Sequence, residues 1–122
     1  MIVRLVISGR PVPLQRSRTR GGRHYLPRRS RVYRELVQAE WLAAGRPSLG
    51  DEPFTLSARF YGLRANADLD NAVKGLLDAL NGLAFSDDHN LVCMAGVQRL
   101  PVDELGPRVE VDLWPADRVV AA

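Results

Sequence analysis

Asp68-Leu-Asp-Asn-Ala-Val-Lys-Gly-Leu-Leu-Asp-Ala-Leu80 is the stretch on which the fold turns. Within it Leu69, Ala72, Val73, Leu76, Leu77 and Leu80 recur three or four residues apart, the apolar stripe of a helix packed on one side. A helix is expected over about residues 69–80, with Asn81-Gly82 ending it. Just before it, Phe54, Leu56, Ala58 and Phe60 alternate with Thr55, Ser57, Arg59 and Tyr61, the period of a half-buried strand. After it, Leu91–Leu100 and Arg108–Trp114 read as two closing strands joined through Gly106-Pro107. The second turns Val109, Val111 and Leu113 inward and Arg108, Glu110 and Asp112 outward.

Working outward to the N-terminus, Ile2–Ser8 is a compact apolar run with β-branched residues, expected as a strand and broken by Gly9-Arg-Pro-Val-Pro13. From Leu14 to Arg29 there is no periodicity, and residues 10–31 read as an Arg-rich, mobile, DNA-binding loop. Ser30 is placed to cap a helix running to about Ala44, with Tyr33, Leu36, Val37, Leu42 and Ala44 broadly on one side and Gly45 at its end. Trp41 reads as core or dimer interface rather than a stacking platform. The order β-α-β-α-β-β implies an α+β fold, a small mixed sheet with two helices packed on it. At 122 residues the chain is expected to form one domain, 1–122.

With 46% hydrophobic and 25% charged residues the composition is that of an ordinary globular protein. The single cysteine, Cys93, excludes an intrachain disulfide and points to a reducing cytoplasm. The opening apolar run is too short for a secretory signal and is interrupted by Arg4. No apolar run approaches the roughly twenty residues of a membrane span, so no membrane partner is expected.

Charge is distributed unevenly. Residues 1–34 hold ten arginines and no acid, whereas residues 35–122 hold seven bases and fourteen acids. A basic arm beside an acidic body suits a polyanion gripped by one part and worked on by another. Arg16, Arg18, Arg20, Arg23, Arg28, Arg29 and Arg31 are the candidate nucleic-acid contacts. His24 and Tyr25 lie among them. All bases but one are arginine; the sole lysine is Lys74. It offers a compact point charge where Arg offers a planar fork.

Asp68 and Asp70 fall at the start of the second helix, where the helix dipole favours negative charge. Residues two apart in extended backbone point to one side, so the two carboxylates can converge. Lys74 follows one turn later, and Phe85-Ser-Asp-Asp-His-Asn90 brings Asp87 and Asp88. Converging aspartates suit a hard cation such as Mg²⁺, which takes oxygen ligands. Three converging aspartates among Asp68, Asp70, Asp87 and Asp88 would hold it, with Lys74 stabilising charge on phosphate. Asp87 and Asn71 are further candidates; His89 is left outside the core site, and Asp78 is assigned to the surface. Ordinary roles compete for each residue: Asp68 or Asp70 as a helix cap, Lys74 as an ion-pair partner of Asp70 or Asp78, Asp87-Asp88 as a turn. It is their clustering that favours a metal site.

Taken together, Asp68-Leu-Asp-Asn, Lys74, Leu77-Asp-Ala-Leu80 and Asp87-Asp88 resemble the signature of the RusA family of crossover junction endodeoxyribonucleases. The N-terminal strand, Gly9-Arg-Pro-Val-Pro13, the Arg-rich loop and the helix with Tyr33 near its start are similar to that family as well. The resemblance implies a homodimeric, Mg²⁺- or Mn²⁺-dependent Holliday junction resolvase that nicks opposed strands of a four-way DNA junction symmetrically. Carried over by position, the family's catalytic aspartates fall on Asp68, Asp70 and Asp88 and its lysine on Lys74. Gly75, inside the helix, departs from good helix formers at about 0.5–1 kcal/mol relative to Ala. The alternative is a non-catalytic protein that binds branched DNA, its acids only capping a helix.

Overall fold

A computed structural model describes residues 2–14 and 18–116. In chain order the elements are β1 (Val3–Ser8), β2 (Arg18–Arg20), β3 (Arg23–Tyr25), α1 (Arg28–Ala44), β4 (Phe54–Tyr61), α2 (Leu69–Leu80), a one-turn 3₁₀ helix (Asp88–Asn90), β5 (Leu91–Leu100) and β6 (Arg108–Pro115). The main sheet runs β1-β6-β4-β5. β6 is antiparallel to both of its neighbours, while β4 and β5 are parallel. This is the α+β, mixed-sheet fold expected from the hydrophobic periods.

The N-terminal third differs from its reading. The expected structureless loop contains a two-stranded ribbon, β2 against β3, turned at Gly21-Gly22. Both glycines have positive φ, 58° and 77°, as a two-residue type I′ turn requires and as glycine allows without a Cβ clash. Helix α1 also starts two residues before Ser30, which sits buried inside the first turn instead of capping it. Pro27 fixes the start: its φ of −53° suits the entry to a helix, and its carbonyl accepts from the Arg31 amide at 3.0 Å.

One face of the sheet carries the core. Val3, Leu5 and Ile7 of β1, Phe54, Leu56, Ala58 and Phe60 of β4, and Val109, Val111 and Leu113 of β6 are all buried. Ala72, Val73, Leu76, Leu77 and Leu80 of α2 belong to the same cluster, and Phe85 stacks on Phe54 with ring centroids 4.5 Å apart. From α1, Val37 and Trp41 enter the core, so Trp41 is a core residue. Leu42 stays exposed, because adjacent helical residues point about 100° apart and only one of the pair can face inward.

The outward face of β6 is not a bare solvated surface. Asp112 accepts from Arg4 at 2.7 and 3.0 Å and from Arg59 at 3.2 Å. Glu110 joins Arg59 and Arg108, at 3.1 and 2.8 Å, and Arg108 reaches Asp103 at 2.6 Å while covering the Tyr61 ring. Arg108 and Asp112 are thereby buried, at 6% and 7% exposure. Three arginines and three acids neutralise one another across β1, β6 and β4. Arg4 is thus committed to the sheet and not to the basic arm.

Candidate active site

Because β4 and β5 are parallel, α2 must carry the chain back along the sheet from the end of β4 to the start of β5. The aspartates fall at opposite ends of that crossover. Asp68 and Asp70 open α2 beside the far end of β5, where Arg99 donates to the carbonyls of Ala65 and Ala67. Asp87 and Asp88 precede Leu91, the first residue of β5, which pairs with Phe54 at the start of β4. The twelve residues of α2 rise about 18 Å. Accordingly, among the described residues no three acidic, His or Cys side chains gather closely enough to enclose a metal ion. Asp68 and Asp70 stand together; Asp88 does not join them within one chain.

Local chemistry explains the individual positions. Asp68 is extended, with φ −83° and ψ 124°, and its Oδ1 caps α2 by accepting from the Asp70 amide at 2.9 Å. A carboxylate has a second oxygen, so the cap leaves Asp68 Oδ2 available. Asp70 lies exposed in the first turn. Lys74, one turn on, is exposed and makes no ion pair with either Asp70 or Asp78 among the described residues. Among the described residues, the ordinary ion-pair role for Lys74 is absent.

At the other end, Asp87 caps the 3₁₀ turn. Its Oδ1 accepts from the His89 amide at 3.0 Å and lies 2.9 Å from the His89 ring Nδ1. The His89 amide, followed by the ring, holds the Asp87 carboxyl below the usual carboxylate range. Asp78, in the last turn of α2, is raised by burial and then by the charge of Asp88, against an opposing pull from Arg34. Asp78 is exposed, in keeping with its assignment to the surface.

The arm joins the body beside these residues. The Leu14 amide donates to the Asn71 carbonyl at 3.0 Å. Leu14 also packs so close to Gly75 that a Cβ there would stand 3.3 Å from the Leu14 nitrogen. Gly75 thus has a packing reason that helix propensity alone did not provide. Arg20, Arg23, Arg28, Arg29 and Arg31 are exposed, and the first turn of α1 holds no acid. Cations at a helix N-terminus oppose the dipole, so Arg28 and Arg29 suit an anion placed between them and the helix end. Arg16 lies outside the described residues.

A family model, endodeoxyribonuclease RusA, matches residues 8–113 of the 122. The chain belongs to the RusA family. The matched span takes in the arm, α2 and all four candidate aspartates. Comparison with curated proteins returned no match. Membership makes the chain a Holliday junction endodeoxyribonuclease in kind, and among the described residues no helix is long and apolar enough to cross a membrane.

RusA nucleases are generally dependent on a divalent metal. The donors here are carboxylate oxygens, which suit Mg²⁺ or Mn²⁺ better than a thiolate- or imidazole-seeking ion. Mg²⁺ typically takes one or two carboxylates together with waters and substrate phosphate. Asp68 and Asp70 fit such an open, substrate-completed site, but not a cage built within one chain.

Proposed function

We propose that the chain, as one nuclease domain spanning residues 1–122, is a divalent-metal-dependent Holliday junction resolvase that acts as a homodimer with catalytic sites shared between subunits. The observation carrying this is the separation of Asp68 and Asp70 from Asp88 along the two ends of β5. Antiparallel pairing of two β5 strands about a two-fold axis sets the start of one against the end of the other. Asp88 of the partner subunit then meets Asp68 and Asp70, and two such sites result.

The edge itself supports the pairing. β5 is ten residues long and, among the described residues, bonded on one side only; its only charge is Arg99. Val92 and Met94 are 49% and 52% exposed, next to exposed Cys93 and Ala95. Long, uncharged, apolar edges are pairing templates that a monomer normally covers or charges.

Asp68, Asp70 and Asp88 of the partner subunit would hold the metal, which when bound supplies a water of lowered pKa and polarises the phosphodiester. Lys74, one turn beyond Asp70 on α2, would set its ammonium against charge developing on phosphate. Asn71 orients the neighbouring carboxylates, and Asp87 holds the turn that presents Asp88. Arg16, Arg18, Arg20, Arg23, Arg28, Arg29 and Arg31 grip the DNA backbone, and two-fold symmetry places the nicks on opposed strands. The free thiol of Cys93 suits the cytoplasm. The test is a synthetic four-way junction with Mg²⁺: wild type cleaves it, and Asp70→Asn binds it without cleavage. Binding with no cleavage by wild type would leave a branched-DNA-binding protein instead.

A further inference from the structure

The β2–β3 ribbon breaks a rule of sheet pairing. Arg20 and Arg23 stand directly opposite each other in its register, flanking the Gly21-Gly22 turn. Opposed residues on a strand pair share a face with Cβ atoms about 4.5–5.5 Å apart, and like charges so placed are destabilising. Neither guanidinium has an acid within ion-pair distance among the described residues. Tyr25, two residues beyond Arg23 on the same face, is 41% exposed, while Thr19 and His24 occupy the other face and contact each other at 3.3 Å. Three-residue strands make a ribbon that is marginal by itself even without this repulsion.

What removes the repulsion is an anion held between the two forks. Each fork matches a phosphate's oxygens, and two forks facing one another enclose one phosphate from both sides. The ribbon springs from Leu14, which is tied to Asn71 in the first turn of α2. Arg20 is six residues on from Leu14, a covalent reach of at most about 21 Å, so a phosphate held by the ribbon and one at Asp70 can belong to the same bound junction.

Building on the resolvase reading above, we propose that Arg20 and Arg23 form a clamp for a single phosphate of the bound DNA, and that this phosphate stabilises the ribbon. Phosphate binding and ribbon ordering are then one event.

The test measures junction affinity without divalent metal between about 50 and 200 mM salt, where each lost phosphate contact lowers the slope of log K against log salt by about 0.9. The double variant Arg20→Gln, Arg23→Gln should lower the slope by about 0.9 per subunit, with Arg46→Gln as an unaffected control. An unchanged slope overturns the clamp, and a loss of about 1.8 per subunit overturns the sharing of one phosphate. Arg23→Glu sets an acid opposite Arg20. It should slow amide exchange of residues 18–25 in the free protein yet weaken junction binding at least tenfold. A ribbon that serves only as a turn would keep its affinity. Cleavage by wild type in Mg²⁺ is read alongside: no cleavage defeats the resolvase reading whatever the ribbon does, whereas cleavage with an unchanged slope defeats the clamp alone.

Discussion

Leu14 and Asn71 are joined by a 3.0 Å backbone hydrogen bond that ties the basic arm to the first turn of α2. The bond is local, but it places Leu14, the last described residue before the ribbon, next to Asp70. On the proposed function, DNA held by the arm enters from that side of the carboxylates.

Gly75→Ala tests that coupling. Alanine should favour the helix by about 0.5–1 kcal/mol. Its Cβ would stand 3.3 Å from the Leu14 nitrogen, so the arm must give way by a few tenths of an ångström. Thermal unfolding should change by no more than a few degrees, whereas junction cleavage should fall several-fold. Cleavage equal to wild type would show that the position of Leu14 does not matter.

Lys74→Arg separates a catalytic point charge from a decorative cation. Lys74 makes no ion pair with Asp70 or Asp78 among the described residues, so stability should be unchanged. Single-turnover cleavage should drop on the order of 100-fold, the scale of losing one transition-state donor. Junction binding should stay within about twofold of wild type, because the charge is kept.

The outer-face network sets the acid limit of stability. Arg4 holds the Asp112 carboxyl below the usual carboxylate range, and Arg108 does the same for Glu110 and Asp103. A carboxylate lowered in the folded state stabilises fully above its unfolded pKa, about 4, and that contribution disappears as pH falls through the lowered value. The melting temperature should be flat from about pH 8 to 5 and decline below about pH 4. Asp112→Asn should cost about 1–2 kcal/mol at neutral pH, allowing for the solvated Arg4 side chain, and make the acid decline shallower. An acid limb identical to wild type would remove Asp112 from the network's contribution.

Met94→Glu places a charge in the middle of the exposed β5 edge. Sedimentation should show a monomer with unchanged circular dichroism, and cleavage should be lost although every aspartate remains. A cleaving dimer would place the subunit contact elsewhere.

Much of this architecture was legible because burial has a period. The bounds of β4, α2 and β5 coincide with their expected residues, since strand alternation and the Leu69-to-Leu80 stripe are local signals. The ribbon was missed although Gly21-Gly22 is a two-residue turn signal, because Arg, Thr and His around it carry no hydrophobic alternation. The candidate acids stood out in the sequence, but their arrangement in space did not. Sequence distance between Asp70 and Asp88 says nothing of the parallel pairing of β4 with β5, and it is that pairing which sends the two acids to opposite ends of a helix. Gly75 was likewise opaque, since its reason lies in Leu14, sixty-one positions away.

Sharing of the site between subunits is tested most directly by mixing two inactive proteins. Asp70→Asn and Asp88→Asn are each assayed alone on a four-way junction with Mg²⁺, then combined and allowed to exchange subunits. A mixed dimer places both lesions in one shared site and leaves the other wholly wild type. Each variant alone should be inactive, while the mixture should recover nicking of one strand. A mixture as inactive as its components would mean that each site is built within a single chain.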